Sequence, residues 1–403
     1  MKIISTKFIY KESKYQENLA VAFDSKIKDI DSLDALTQKY PNAKVYKYSG
    51  NSVLYPGFIN LHTHLEFSAN RATLNYGDFI TWLYSVIENR DELVGKLNEE
   101  VLDSAIKQML NSGVTTFGAI SSFGADLNAC VDAPQRVIYF NEVIGSNPAI
   151  IDALFSDFKN RFYTSSKFKS DSFYPAVAIH SPYSVHPVLL REALKVADSE
   201  DSIVSAHFLE SVAEREWLEE NRGDFAKFFK EFFNSTTAVN SIDGFLESFN
   251  KPTLFTHAVQ AKDKEFNYIN SHNHSVIHCP RSNRLLNCGK LDITKPQNLL
   301  LATDGLSSNY SLSILDELKA ALEMHTDINP KELACMIIEA VTTNAAKAID
   351  IKVGKIKPDY FADFAIFSLP DDLKQTDNGS LALNTIINTN SAKEVFIAGE
   401  NIE

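Results

Sequence analysis

Cysteine is scarce in this sequence. Four cysteines are spread over 403 residues, and none of them form the Cys-x-x-Cys spacing of a redox or zinc motif. The chain therefore lacks the disulfide framework of small secreted domains, and free thiols indicate a reducing compartment. Lys7 and Lys11 interrupt the apolar residues near the N-terminus, where a signal peptide would need an unbroken core. We predict a cytoplasmic protein.

Long apolar runs and an excess of basic residues are also missing. No window reaches the roughly 18 apolar residues that a membrane helix needs. The 39 basic residues are outnumbered by 52 acidic ones, which gives a net charge of −13. This balance argues against nucleic acid or an anionic membrane as a partner. A hydrophobic content of 44% and a charged content of 23% are typical of a soluble globular protein with a large core.

The centre of the chain alternates two patterns. Eight apolar, β-branched runs are separated mostly by helix-like stretches; the runs are GFINLHTH, GVTTFGAI, RVIYFNEVIG, YPAVAIHS, SIVSAHFL, PTLFTHAV, SVIHCP and LLLATDG. Eight strands alternating with helices predict an α/β fold, a (β/α)8 barrel of the TIM type, over residues 56–349. Short alternating runs at both chain ends predict a small β-sandwich domain made of residues 1–55 and 350–403.

Most of these runs end in a side chain that can bind a metal or transfer a proton. Six of the ten histidines and one aspartate lie at run ends: His62, His64, His180, His207, His257, His278 and Asp304. The carboxyl ends of parallel barrel strands meet at one mouth, where the active sites of such barrels lie. The sequence therefore predicts that these side chains converge.

A metal site is the simplest chemistry for this group. His62 and His64 share one face of a strand, and together with His207 and Asp304 they form a mixed nitrogen and oxygen ligand set suited to Zn²⁺ or Fe²⁺. Each has an ordinary alternative when taken alone: a histidine can be a satisfied core residue, and Asp304 can cap a turn. His257 is either a fourth ligand or a hydrogen-bond partner of bound water. The fourth run lacks the lysine of binuclear barrel hydrolases, so we expect one metal ion.

Two glutamates lie close to these ligands in the sequence. Glu210 follows His207 by three residues, so it either enters the mouth beside the metal or begins a helix as an exposed residue. Glu66 shares the strand face of His62 and His64 one step further out, where it either contacts a substrate or is solvated.

Several motifs in order resemble the amidohydrolase superfamily, in particular its mononuclear purine and nucleoside deaminase branch, which includes relatives of S-adenosylhomocysteine deaminase and the chlorohydrolases. The motifs are PGFINLHTH, GVTTF, HSPYSVHP, HFLES, THAVQ, HCPRSN and ATDGLSSN. The resemblance implies one divalent ion, Zn²⁺ first with Fe²⁺ or Mn²⁺ as alternatives. It also implies roles for single residues: His62, His64, His207 and Asp304 as ligands, Glu210 as proton shuttle, His257 and Asp304 as the groups that activate water, and His180 as a substrate contact.

The sequence departs from the S-adenosylhomocysteine deaminases at two substrate contacts. Ile80 and Thr81 stand where those enzymes carry a carboxylate for the ribose, and Glu142 stands where they carry an arginine. Glu142 is therefore a predicted substrate contact, and Glu66 is the predicted replacement for the ribose carboxylate.

The stretches HTHLEFSAN and YGDFITWLYSVIENRDEL are similar to the aminodeoxyfutalosine deaminases of menaquinone biosynthesis. Their substrate is an adenine nucleoside that ends in a benzoate, and a carboxylate calls for a cation. Arg281, or alternatively Arg284, is the predicted contact; both could equally be surface arginines.

The resemblance implies hydrolytic replacement of a 6-amino group on an adenine-type nucleoside by oxygen, with release of ammonia. The alternatives are deamination of S-adenosylhomocysteine, methylthioadenosine or adenosine, or hydrolysis of guanine or a triazine. A non-catalytic barrel is a remote alternative, since all the expected site residues are present. The expected partner is a small-molecule nucleoside, and the relatives suggest a homodimer.

Overall fold

The computed structural model describes residues 1–70 and 72–402. Its strands are Lys2–Ser5 (β1), Phe8–Lys11 (β2), Lys14–Glu17 (β3), Ala20–Phe23 (β4), Ile27–Asp31 (β5), Lys44–Lys47 (β6), Ser52–Pro56 (β7), Phe58–Thr63 (β8), Val114–Ser121 (β9), Arg136–Val143 (β10), Phe173–Ile179 (β11), Val204–Phe208 (β12), Thr253–His257 (β13), Ser275–His278 (β14), Leu299–Leu301 (β15), Phe364–Ser368 (β16), Glu394–Ile397 (β17) and Glu400–Ile402 (β18).

The α-helices are Leu33–Lys39 (α1), Phe79–Gly95 (α2), Glu99–Asn111 (α3), Leu127–Asp132 (α4), Ile151–Ser165 (α5), Pro187–Ser199 (α6), Val212–Glu220 (α7), Asp224–Phe233 (α8), Ile242–Leu246 (α9), Asp263–Ser271 (α10), Pro280–Leu285 (α11), Ile314–Met324 (α12), Pro330–Ala340 (α13), Thr343–Ile349 (α14) and Asn378–Asn388 (α15). Short 3₁₀ turns lie at Leu65–Phe67, Pro148–Ile150 and Ser166–Phe168.

The central sheet is a parallel barrel. Its eight strands follow one another in chain order from β8 to β15. The backbone N–H of Asp304, just after β15, donates to the carbonyl of His62 on β8 over 3.1 Å, which links the two ends of the sheet. Each of the eight apolar runs of the sequence contributes one strand, so the predicted (β/α)8 barrel is confirmed.

The terminal segments form two further sheets. One has the order β5-β4-β1-β6, and the other has the order β18-β17-β16-β7-β2-β3. In the second sheet, β7 pairs with β16 antiparallel and with β2 in parallel, so strands from both chain ends share one sheet. A buried cluster that includes Phe23, Leu54 and Phe396 packs this part of the chain. The predicted small β domain made from both termini is confirmed.

The chain divides into two compact units. The first comprises residues 1–60, 106–117 and 313–403; the second comprises residues 61–105 and 118–312 and contains all the site residues predicted from the sequence. The boundaries predicted from the sequence, 1–55 with 350–403 and 56–349, stay a prediction. Among the described residues, no helix is long and apolar enough to cross a membrane.

Candidate active site

The predicted metal ligands converge at the carboxyl ends of the barrel strands. His64 Nε2 lies 3.3 Å from His207 Nε2, and Asp304 Oδ1 lies 3.6 Å from Nε2 of both His62 and His64. A ligand atom of His257 lies within 4.8 Å of those of His62 and His207. Tetrahedral zinc sites, with bonds of about 2.1 Å, separate neighbouring ligand atoms by roughly 3.4 Å. These side chains are therefore close enough to share one ion.

His62 supplies a direct test of this fit. Its side chain is 1% exposed, and its Nε2 has no hydrogen-bond partner among the residues that the structure describes. A buried polar atom without a partner is costly and needs an explanation. A metal ion held by His62, His64, His207 and Asp304 would provide one, because coordination would take the place of the missing hydrogen bond.

Hydrogen bonds at the Nδ1 atoms orient the imidazole rings. His207 Nδ1 donates to the carbonyl of His180 over 2.7 Å, and His257 Nδ1 donates to Asn283 Oδ1 over 2.9 Å. With a proton on Nδ1, each ring presents an unprotonated Nε2 to the centre of the site. Burial lowers the pKa of His257 to about 4 and that of His64 to about 3, so both rings are neutral at pH 7 and competent as ligands.

Asp304 is fixed by its neighbours. The hydroxyls of Ser282 and Ser308 donate to Oδ2 over 2.7 and 2.8 Å, and the N–H of Gly305 donates to Oδ1 over 2.8 Å. A Cβ on Gly305 would lie 2.7 Å from the Cβ of His64, so only glycine fits beside that ligand. Burial opposes ionisation, but the imidazoles of His62, His64 and His257 hold the pKa of Asp304 well below its usual range.

Glu210 lies directly after β12, with its Oε2 3.5 Å from His257 Nε2. Burial raises the pKa of Glu210 well above its usual range, and the carboxylates of Asp304 and Glu214 add to this effect. A carboxyl group with a raised pKa in such a place can both accept and donate a proton near neutral pH.

Glu214 is a site residue that sequence reasoning missed. Its two carboxylate oxygens accept the backbone N–H groups of Leu209, over 3.0 Å, and Glu210, over 2.7 Å. Leu209 has a left-handed backbone with φ of 46°, so these bonds hold an uncommon conformation that directs Glu210 inward. The sequence did contain a signal: SVAE, from Ser211 to Glu214, is a capping-box pattern at the start of α7.

Asn283, Ser282 and Ser308 were missed as well. They belong to the motifs HCPRSN and ATDGLSSN, which carry the family resemblance but from which no role was predicted for these polar residues. A short polar residue near a strand end can cap a helix, form a turn or hydrogen-bond a site residue, so one sequence does not predict which role it has.

Glu142 and His180 lie side by side next to His207. All three line the same cavity, and each offers a ligand atom within 4.8 Å of the others. His180 Nδ1 lies 2.6 Å from the hydroxyl of Ser184. Burial raises the pKa of Glu142 to about 7, whereas the hydroxyl of Ser122 opposes the shift.

Glu66 occupies a different place from the one expected. It is 1% exposed, and its carboxylate accepts backbone N–H groups from Ser122, Phe123 and Ala125 over 2.7 to 3.1 Å. It is not among the residues that line the cavity. Since backbone amides already occupy both oxygens, this position does not support the predicted contact of Glu66 with a ribose.

Arg281 also lies away from the cavity lining. Its side chain is buried, and the guanidinium carbon lies 3.7 Å from the centre of the Tyr310 ring. Arg284 is not among the lining residues either. Neither position supports the predicted contact with a distal anion.

The cavity above the clustered histidines has a volume of about 430 Å³. Two helices form apolar walls: α2 contributes Phe79, Trp82, Leu83, Val86 and Ile87, and α8 contributes Phe228, Phe229 and Phe233. Arg90, also on α2, is the one lysine or arginine among the described lining residues. As far as the described residues line it, the cavity thus combines a polar floor, apolar walls and one permanent cation.

Comparison with known proteins agrees with this architecture. The profile of the amidohydrolase family matches residues 53–402. The chain belongs to the amidohydrolase family. Members of this family are generally metal-dependent, in agreement with the clustered histidines and Asp304. The family predicted from the sequence motifs is confirmed.

Three relatives illustrate where the chain lies within the amidohydrolase family. It is 47% identical to a protein of Nitratiruptor named aminodeoxyfutalosine deaminase, with 99% of both chains covered. It is 33% identical to a Helicobacter pylori protein named adenosine deaminase, with 96% of this chain and 95% of the relative covered. The crystal structure of Helicobacter pylori aminofutalosine deaminase with methylthio-coformycin superposes with a TM-score of 0.94 at 32% identity, covering both chains fully.

Proposed function

We propose that this protein is a metal-dependent hydrolytic deaminase that replaces the 6-amino group of an adenine-type nucleoside by oxygen. The arrangement of Glu210 beside His257 and Asp304 carries the proposal, because it places a proton-transfer group next to a metal-competent cluster. The full-length identity of 47% to an aminodeoxyfutalosine deaminase supports that compound as the substrate.

His62, His64, His207 and Asp304 would hold one divalent ion, with Zn²⁺ as the proposed metal. Such an ion supplies Lewis acidity and lowers the pKa of water towards neutrality. His257 contributes a neutral ring, fixed by Asn283, that can hydrogen-bond the attacking water.

Glu210 moves the protons of the reaction. Water adds to C6 of the purine, and Glu210 passes a proton from that water to ring N1, which gives a tetrahedral carbon that carries OH and NH₂. Glu210 then moves the proton of the new hydroxyl to the NH₂ group, so ammonia leaves as the C6–N bond breaks and the 6-oxo purine remains. Because Glu210 must act as base and then as acid, its raised pKa suits the task.

The walls of the cavity support a substrate with an aromatic tail that ends in an anion. The cavity residues of α2 recur at helical spacing from Phe79 to Arg90, so one face of the helix lines the cavity. Arg90 lies eight residues beyond Trp82, a rise of about 12 Å. Among the residues that the structure describes, Arg90 pairs only with Asp91, whose side chain is 95% exposed, and such an ion pair is weak. We propose Arg90 as the partner of the benzoate carboxylate.

A panel of nucleosides tests the proposal on the zinc-loaded enzyme. We expect ammonia release from aminodeoxyfutalosine with a higher kcat/KM than from methylthioadenosine, S-adenosylhomocysteine or adenosine. Methylthioadenosine is the second candidate, because the superposing Helicobacter pylori structure holds methylthio-coformycin. Absence of ammonia from every 6-aminopurine nucleoside would overturn the deaminase proposal.

Replacement of Arg90 tests the anionic tail separately. Arg90→Met should raise KM for aminodeoxyfutalosine about tenfold or more, the scale of a charge-assisted hydrogen bond, and leave KM for methylthioadenosine unchanged. Arg281→Met is the matched comparison, and it should not discriminate between the two substrates. Equal effects of Arg90→Met on both substrates would reject the role of Arg90.

Two wider expectations also remain proposals. The four cysteines are free thiols, which supports a reducing, cytoplasmic location. A homodimer is proposed from the family resemblance, and light scattering of the purified protein tests it.

A further inference from the structure

Glu142 is a cavity-lining residue with one buried carboxylate oxygen that lacks a hydrogen-bond donor among the described residues. The residue is 1% exposed and lies at the end of β10. Its Oε2 accepts a hydrogen bond from the hydroxyl of Ser122, whereas its Oε1 has no hydrogen-bond partner among the described residues. Oε1 lies 3.9 Å from His207 Nδ1, which already donates to the carbonyl of His180. A buried carboxylate oxygen without a donor is costly, so a ligand that brings hydroxyl or N–H donors would be favoured there.

The loop after β9 holds Glu142 in place. Glu66 accepts hydrogen bonds from three backbone N–H groups of this loop, those of Ser122, Phe123 and Ala125. With its backbone fixed, Ser122 directs its hydroxyl to Glu142. Arg161 ties the same two segments together, because its guanidinium donates to the carbonyls of Ser121, over 3.2 Å, and Glu142, over 2.8 Å.

The location of Glu142 relative to Glu210 suits a nucleoside. The two residues lie at the ends of β10 and β12, which are separated by β11 in the sheet. Two strand spacings amount to about 10 Å, a span on the scale of a nucleoside whose base meets Glu210 and whose sugar extends along the cavity floor. The ribose hydroxyls are then the donors nearest to Glu142.

We propose that Glu142 accepts hydrogen bonds from the ribose hydroxyls of the substrate, and that Glu66 is a positioning residue that acts through Ser122. This inference rests on the proposed nucleoside deaminase activity. It explains how the site recognises a ribose although Ile80 and Thr81, which stand where S-adenosylhomocysteine deaminases carry the ribose carboxylate, have no charge. It also gives the buried Glu66 a function that does not require contact with the substrate.

The test pairs enzyme variants with nucleosides that lack one hydroxyl. Zinc-loaded wild type, Glu142→Gln and Glu142→Met are assayed with adenosine, 2′-deoxyadenosine and 3′-deoxyadenosine. Wild type should lose about 10- to 100-fold in kcat/KM when the contacted hydroxyl is missing, the usual scale for a hydrogen bond to a charged group. In both variants that discrimination should shrink to about twofold, mainly through KM, with metal content unchanged.

The positioning role has its own readout. Glu66→Gln places an amide N–H against backbone N–H groups, and Ser122→Ala removes the link to Glu142. Both should raise KM and weaken the discrimination between adenosine and its deoxy analogues while kcat stays within about twofold of wild type. Ser199→Ala is the control: the hydroxyl of Ser199 donates to the carbonyl of Val196 on α6 and contacts neither Glu66 nor Glu142, so the discrimination should survive.

The outcomes separate the two proposals. Wild type that deaminates none of the three nucleosides, nor aminodeoxyfutalosine, would reject the deaminase activity. Wild type that is active but indifferent to both hydroxyls would reject ribose recognition by Glu142. Loss of bound metal in Glu142→Gln would instead assign Glu142 to a metal together with His180 and His207. A fall in kcat alone for Glu66→Gln would reject the positioning role.

Discussion

Asp304 and Glu210 are both buried carboxylates, yet their pKa values move in opposite directions. Three imidazoles surround Asp304 and keep it ionised in spite of its burial. Burial and the two neighbouring carboxylates both raise the pKa of Glu210, so its protonated form is favoured. Different surroundings thus favour the anion at Asp304 and the protonated acid at Glu210 at the same pH.

Glu214 controls the direction of Glu210, so its replacement should affect turnover. Glu214→Gln puts an N–H donor against a backbone N–H of Leu209 or Glu210. Loss of one buried hydrogen bond costs about 1–3 kcal/mol, and we expect kcat to fall roughly tenfold to a hundredfold with metal content retained. Glu219→Gln, on the outer part of the same helix, should leave kcat unchanged. An unaffected kcat in Glu214→Gln would contradict the role given to it.

Asp126 should make stability depend on pH. Burial, then the charge of Glu66, raises its pKa to about 7, compared with about 3.9 in an unfolded chain. The protonated side chain therefore stabilises the folded state fully below about pH 4, and this contribution is lost as pH rises through about 7. Asp126→Asn removes the titration, so the thermal midpoint of the variant relative to wild type should rise between pH 5 and pH 8.

Only the pH dependence of the difference in thermal midpoint between Asp126→Asn and wild type is needed. The altered hydrogen bonds of the variant shift its midpoint by an amount that does not depend on pH. Asp132→Asn is the control, at an exposed position of α4, the helix that begins directly after Asp126. Its thermal midpoint should follow that of wild type across the pH range. Parallel curves for Asp126→Asn and wild type would show that Asp126 does not titrate in this window.

At the scale of elements, α2 links the cavity floor to its outer end. Its N-cap Asp78 accepts the N–H of Thr81 over 2.8 Å, which fixes where the helix begins. Trp82 Nε1 donates to the carbonyl of Ser307 over 2.8 Å, three residues after Asp304 in the chain. Further along, Tyr84 packs against Phe228 and Phe232 of α8. The helix is therefore tied to the catalytic floor on one face and to α8 on another.

The bond of Trp82 should matter for substrate binding. Trp82→Phe keeps an aromatic ring but removes the link to Ser307, so α2 should close less well over the cavity. We expect KM for the best nucleoside to rise about fivefold to tenfold, the scale of one hydrogen bond, with kcat little changed. Tyr84→Phe is the control, since it removes the hydrogen bond between Tyr84 and Glu231, away from the cavity lining. Equal KM values for the two variants would argue against the anchoring role.

The strands could be predicted from the sequence, and the metal-competent side chains could be grouped from it, because both follow from local pattern. A strand buried on both faces is a short apolar run, and a parallel barrel brings all its carboxyl ends to one mouth. His62, His207 and Asp304 could thus be grouped without a structure.

The substrate contacts could not be predicted in the same way. Glu66 follows the ligand pattern along the strand, but a 3₁₀ turn at Leu65–Phe67 rotates it away from the expected face. Arg281 lies in a motif next to the site, yet its place on α11 packs it against Tyr310. Arg90 and the aromatic face of α8 reach the cavity from distant parts of the chain. Such convergence depends on tertiary packing, which a one-dimensional pattern does not encode.

At the scale of the whole molecule, the metal site should contribute to stability. Its donors come from strands across the second unit, from His62 on β8 to Asp304 after β15. A ligand that binds only the folded state at a thousand times its dissociation constant stabilises that state by about 4 kcal/mol. Removal of metal by a chelator at pH 7.5 should lower the thermal midpoint, and added Zn²⁺ should restore it.

Two histidine variants make this test specific. His207→Ala should lose metal, and its thermal midpoint should become insensitive to the chelator. His272→Ala, at an exposed position just after α10, should respond as wild type does. A chelator effect that persists in His207→Ala would place the ion elsewhere.

The walls of the cavity and its floor have separate origins in the chain. The floor groups stand on strand ends, whereas α2 and α8 supply the walls from segments that follow those strands. Mutations on the helices can therefore reshape the space for the nucleoside tail without disturbing the strand-end groups. This separation offers a short evolutionary path between nucleosides with different tails. For protein engineering, it marks residues 83–90, beyond the bond between Trp82 and Ser307, as the segment to exchange when a new tail is to be accepted.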